Sequence, residues 1–136
     1  MRDILFRGKD DESGKFIYGY YGLERDMRKK IPFILKPSIA WEEDGILFSS
    51  FVIPETVGQF TGLADKNGTK IFEGDIVRRT CININFDYIV KYNIDLGEFE
   101  LEFIKDGGSL AMFHGIDGEV IGNIYDNPEL LKKEKE

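Results

Sequence analysis

One cysteine, one histidine and four prolines in 136 residues exclude several kinds of chemistry before any motif is read. Cys81 has no second cysteine to pair with, so no intrachain disulfide is possible and a reducing cytoplasm is the expected compartment. His114 has no second histidine and lies far from Cys81 in sequence, which leaves nucleophilic or metal chemistry without an evident partner for it. No apolar run approaches the roughly 18–20 residues of a membrane-spanning helix. The opening MRDILFRGKDDES has acids at positions 3, 10 and 11 and no apolar block, so a secretory signal is not expected.

Positive charge is scarce too. Lys and Arg number 18 against 25 Asp and Glu, a formal charge of −7. Binding to duplex nucleic acid usually rests on neutralising phosphates, so that balance disfavours it. Bases cluster only in RDMRKK (Arg25, Arg28, Lys29, Lys30) and at Arg78-Arg79, and solubilising charge beside a strand accounts for both. The chain has no GxGxxG, no GKS or GKT phosphate loop and no GxSxG elbow. An enzyme is therefore the weaker class of reading, and no catalytic residue, cofactor or metal is expected.

What the chain does have is aromatic residues, 11 Phe and 6 Tyr, with glycine recurring throughout. That pattern predicts short strands joined by tight turns. ILFRGKD and KFIYGYYG flank the turn-forming ESG, which predicts a hairpin over 4–22. IPFILKPSI, with two prolines, predicts an edge strand or an irregular stretch, after which WEEDG turns into ILFSSFVI. FDYIVKY and EFELEFI alternate cleanly. Phe86, Tyr88, Val90 and Tyr92 share one face, and Phe99, Leu101 and Phe103 share another opposite Glu98, Glu100 and Glu102. Such a period of two predicts a half-buried antiparallel sheet with one wet face. SLAMFHG and EVIGNIY read as further strands, and Asn127-Pro128-Glu129 opens a short helix.

The stretch TGLADKNGTKIFEGDIV, 61–77, holds three glycines, three acids and two lysines. Asp65, Asn67 and Thr69 suit a calcium loop, but Lys70 stands where glycine is needed and Ile76 where a bidentate Glu is needed. Two turns explain the same residues. Asn67-Gly68 predicts a type I′ hairpin turn, and Glu73-Gly74-Asp75 a second corner. Glu73 and Asp75 would act as a general acid–base pair only if one were desolvated, and the corner already gives both a local task.

The remaining candidates are binding residues. Tyr18 and Tyr20, with Phe16, Tyr21 and Trp41, have the chemistry of stacking platforms for a peptide or single-stranded nucleic acid, although aromatics at period two more often form core. With the basic cluster, the candidate partner-binding set is Tyr18, Tyr20, Arg25, Arg28, Lys29, Lys30 and Trp41.

Three blocks in order, ILFRGKD with a following YGY, then VIPETVGQFTGLADKNGTKIFEGDIV, then EVIGNIYDNPELL, resemble the YopX family of bacteriophage and prophage proteins. The likeness spans nearly the whole chain and is loose over 23–50 and 78–118. It implies an SH3-like small β-barrel, assembly as homo-oligomers and no assigned catalytic residues. The expectation is thus a mainly β protein with minor α. An N-terminal β-rich segment would occupy 1–57, and an SH3-like small β-barrel with a short C-terminal helix would occupy 58–136. Its expected core is Phe60, Leu63, Ile71, Ile76, Val77, Val90, Tyr92, Phe99, Leu101, Phe103, Val120 and Ile124. Function is expected to be that of a phage accessory protein in the bacterial cytoplasm, binding itself and an unknown host or phage protein. Nucleic-acid binding by the barrel face or RDMRKK is the second expectation, and hydrolysis through surface carboxylates the third.

Overall fold

In the computed structural model, residues 3–29 and 34–132 are described. Their regular structure is strand apart from three 3₁₀ turns, at Pro54–Thr56, Met112–Asp117 and Pro128–Leu131. The strands form antiparallel sheets and divide between two compact units, Met1–Gln59 and Phe60–Glu136.

The first unit holds β1 (Phe6–Lys9), β2 (Phe16–Arg25), β3 (Leu35–Glu43) and β4 (Ile46–Phe51) in the spatial order β4-β3-β2-β1. The predicted opening hairpin forms, with Lys9 opposite Phe16 and Phe6 opposite Gly19. Its turn is organised by Asp10, whose carboxylate accepts the backbone N–H groups of Glu12 (2.9 Å) and Ser13 (3.4 Å). β3 pairs on both sides, so the described part of IPFILKPSI, 34–39, leads into a central strand rather than an edge, and 31–33 lie outside the described residues. Pro37 is tolerated because it lies just past the Ser38–Phe51 end of the β4 ladder, where its carbonyl still accepts the Val52 N–H at 3.1 Å and its missing N–H removes a single rung. Ile39 is fully buried, and Gly19 lies so close to β3 that a Cβ there would sit 2.0 Å from the Ala40 carbonyl oxygen.

β5 (Gly58–Ala64) crosses the boundary between the units. Its first two residues pair with β1, while Phe60 and Ala64 pair with β6 (Lys70–Phe72). The second unit then adds β7 (Asp75–Cys81), β8 (Ile84–Asn93), β9 (Glu98–Phe103), β10 (Ser109–Ala111) and β11 (Glu119–Asn123), in the order β10-β9-β8-β7-β11. Register sets Tyr88 opposite Phe103, Val90 opposite Leu101 and Tyr92 opposite Phe99, which puts the two predicted faces on one side of the sheet. Ile71, Val77, Val90, Leu101 and Met112 form the core, with Leu63, Tyr88, Phe99, Leu110 and Val120 packed against it.

Four further expectations are corrected. The sheet is open rather than a closed barrel. β10 has three residues and gives way to the turn Met112–Asp117, which sends Met112 into the core; β11 then returns beside β7 with no ladder to β10. The strand expected for SLAMFHG forms only over Ser109–Ala111, and the same turn takes the rest. The C-terminal helix is a single 3₁₀ turn, with Asn127 Oδ1 spent on the Asn123 N–H (3.1 Å) rather than on a cap. Tyr92 is 47% exposed instead of core, its ring edge-on to Phe99 at 5.1 Å near the end of β8.

Candidate interaction surface

The block 61–77 is built as turns, with one difference. Asn67 does not take a positive φ. Instead Lys66, Asn67 and Gly68 make a three-residue connection, with Gly68 at φ 83 and the Asp65 N–H donating to the Thr69 carbonyl at 2.8 Å. Asp65 Oδ1 accepts the N–H groups of Asn67 and Thr69, both at 2.9 Å, and Oδ2 accepts that of Val120 at 2.9 Å. Burial pushes the Asp65 pKa up, and the three N–H donors more than reverse it, so it lies below its ordinary value. At the second corner Gly74 has φ 91, and Asp75, nearly fully buried, accepts the Phe72 N–H at 2.7 Å. Both carboxylates are committed to backbone.

The six partner-binding candidates among the described residues do not converge. Residues directly opposite in an antiparallel pair share a face, which places Tyr18 and Tyr20 with Ala40 and Glu42, and Trp41 on the other side with Gly19 and Tyr21. Tyr18 and Tyr20 are 48% and 69% exposed, so they are surface rather than core. Trp41 is half-buried, stacked on Phe48 at 5.9 Å, and its Nε1–H donates to Glu43 at 3.1 Å. Arg25 ends β2 opposite Leu35.

Within RDMRKK, Arg28 is held by acids. Its Nε donates to Asp26 at 3.0 Å and its Nη1 to Glu12 at 2.8 Å, while Lys36 donates to Asp26 at 3.1 Å. The Arg28 hydrogen bond, with help from Lys36, holds the Asp26 carboxyl far below the usual carboxylate range against the opposing effect of burial. The neighbouring Lys36 pushes the Lys29 pKa down. Lys30 lies outside the described residues. The cluster around Asp26 is thus a neutralised loop clamp rather than an open basic patch.

The sequence reading missed the edge of β4. Asp44 and Gly45 have φ 51 and 79, both positive, so a two-residue turn joins β3 to β4. Such a turn makes Glu43 and Ile46 exchange two hydrogen bonds, and the ladder then alternates through Phe48 and Ser50. The backbone groups of Leu47, Ser49 and Phe51 therefore point away from β3. One of them is taken, since the Phe51 carbonyl accepts the Asp11 N–H at 3.0 Å. β4 contains no charged residue and no proline, and Ile46, Leu47 and Phe48 are 59%, 72% and 41% exposed. Edge strands are ordinarily guarded by charge, proline or a covering segment. Among the described residues this one is covered only at its Phe51 end.

A second feature lies in the other unit. Arg79, Thr80, Cys81, Phe86, Tyr88 and Asp117 line a cavity of about 310 Å³. The Arg79 Nε is buried with no hydrogen-bond partner, whereas the neighbouring Arg78 is bound by Asp87 at 2.8 Å. Among the described residues no three His, Cys, Asp or Glu side chains gather where they could hold a metal ion, and no helix is long and apolar enough to cross a membrane.

These features define a small, mainly β protein of two compact units whose polar turns serve the fold. The chain belongs to the YopX family: the family model described as YopX protein matches residues 5–132. It is similar in fold to the crystal structure of protein EF1440 from Enterococcus faecalis, at a TM-score of 0.57 and 23% identity, covering 97% of this chain and 100% of that one. No curated protein matches the chain.

Proposed function

We propose that this protein is a non-enzymatic accessory factor of a bacteriophage or prophage, acting in the host cytoplasm through protein–protein contacts as a homo-oligomer. The observation that carries the reading is the uncharged, exposed rim of β4, where backbone donors and acceptors await a further strand. The YopX resemblance supports the phage setting, and an exposed lone thiol at Cys81 suits a reducing compartment. Light scattering on the purified chain, paired with affinity capture from induced host cells and mass spectrometry, tests it. A strict monomer that captures no partner sinks the reading.

A second reading rests on Arg79. An unpaired guanidinium beside Phe86 and Tyr88 suits single-stranded nucleic acid, with a base on the rings and a phosphate at the cation. The charge of −7 and the acid-bound Arg28 weigh against it. Fluorescence anisotropy at low salt with labelled single-stranded DNA and RNA decides. Binding at tens of micromolar that Arg79→Ala abolishes supports this reading, and a flat trace removes it.

A further inference from the structure

We infer that two copies of this chain pair through β4 in antiparallel fashion about a two-fold axis at Phe48, a surface and register that deepen the oligomer reading above and rest on it. The inference comes from counting what the rim leaves unsatisfied. Of the three residues whose backbone groups face away from β3, Phe51 has its carbonyl bound by the Asp11 N–H, and the following Val52 is bridged to Asp10. Leu47 and Ser49 remain with both groups vacant, two N–H and two C=O, while the Phe51 N–H lies beside the segment that already holds its carbonyl.

An antiparallel partner uses all four only if Leu47 of one copy faces Ser49 of the other and the reverse holds as well. That register places Phe48 opposite its own symmetry mate, and it gives two hydrogen-bonded pairs with four interchain hydrogen bonds. A shift by one residue turns bonded groups toward unbonded ones. A shift by two in one direction drives Leu47 against the segment covering Phe51, and in the other it sets Ser49 against Gly45, whose φ of 79 belongs to the turn. The register at Phe48 is the one that pairs both residues with strand backbone.

Side chains agree with it. Phe48 falls in a non-hydrogen-bonded pair, where opposing side chains approach most closely, so the two Phe48 rings meet on the face that carries the Trp41 stack. A row of four aromatic rings, Trp41 and Phe48 from each copy, would then run across the axis. No charge lies on β4 to oppose its mate. Glu43 and Asp44 flank the paired stretch and the chain carries −7, so salt strengthens association by screening them. The contact is short, which suits a modest affinity.

Sedimentation velocity on the full chain, across roughly 10–500 µM to span a modest affinity and at two salt concentrations, reads the assembly. The expected result is a concentration-dependent dimer, favoured by salt. Ser49→Pro deletes one outward N–H at a position where an edge strand tolerates proline, and it should leave a folded monomer by circular dichroism. Because that variant alone leaves room for a folding artefact, a second measurement reads register directly. In a Cys81→Ser background, Phe48→Cys should form an interchain disulfide on mild oxidation, and Leu47→Cys should form little. An oligomer unaffected by Ser49→Pro, with no preference for position 48, overturns the β4 pairing while leaving homo-oligomerisation intact. A wild-type monomer at every concentration overturns both.

Discussion

Asp65 Oδ2 accepts the backbone N–H of Val120 at 2.9 Å, tying the turn after β5 to the start of β11 across 55 residues of chain. Lys66 reinforces the tie, its N–H donating to the Gly118 carbonyl at 3.1 Å. The acid that looked most like a ligand for a metal is instead a clasp.

Removing the clasp should be costly. Asp65→Ala strands three backbone N–H groups around a buried position, and leaving buried donors unsatisfied costs about 1–3 kcal/mol. Asp65→Asn keeps one acceptor oxygen and should cost less. Urea melts of the two variants read the difference; equal, negligible losses would show the clasp to be ornamental.

A second prediction concerns acid. The folded-state pKa of Asp26 is depressed by Arg28 and Lys36, so the stability it supplies is fully present above its unfolded pKa of about 4 and is lost as pH falls toward the folded value. Wild type should therefore exceed Asp26→Asn in urea midpoint at pH 7, and the two curves should converge below about pH 4. A gap that persists unchanged into acid would mean the ion pairs are not its source.

Core and rim should separate clearly in the second unit. Leu101 is fully buried, and Leu101→Ala should cost roughly 2–5 kcal/mol. Tyr92, exposed and edge-on to Phe99, should cost only about 1 kcal/mol on truncation. The reverse order in chemical denaturation would invalidate the assigned facing.

A fourth prediction is a gain. Ile82 and Asn83 both have positive φ, 49 and 62, at the tip joining β7 to β8. Asparagine accepts that conformation and a β-branched residue resists it, with a left-handed cost of about 1–2 kcal/mol. Because Ile82 is 89% exposed, little packing is lost on replacement. Ile82→Asn should raise the melting temperature, and no rise would mean the tip relaxes at no cost.

The alternating strands were legible because each has one wet face: that Tyr88 and Val90 share a side, and Leu101 and Phe103 another, follows from period two, while their pairing does not. Turns rich in glycine and acids were legible as turns, though not their types, since whether Asn67 or only Gly68 takes positive φ depends on where β6 pairs. Closure was not legible, because strand count does not reveal that Met112 leaves the ladder for the core. Trp41, Tyr18 and Arg28 belong to different faces and a loop, and pairing register, not residue type, decides that separation. The β4 rim escaped for the same reason, as ILFSSF reads as an ordinary apolar strand until its neighbours are known.

The contact between the Asp11 N–H and the Phe51 carbonyl has a consequence for assembly. With only two vacant residues among those described, the rim offers an incoming strand little room to slide, so the cap works as a register stop. Loss of that one cap would lengthen the vacancy and admit a shifted alignment.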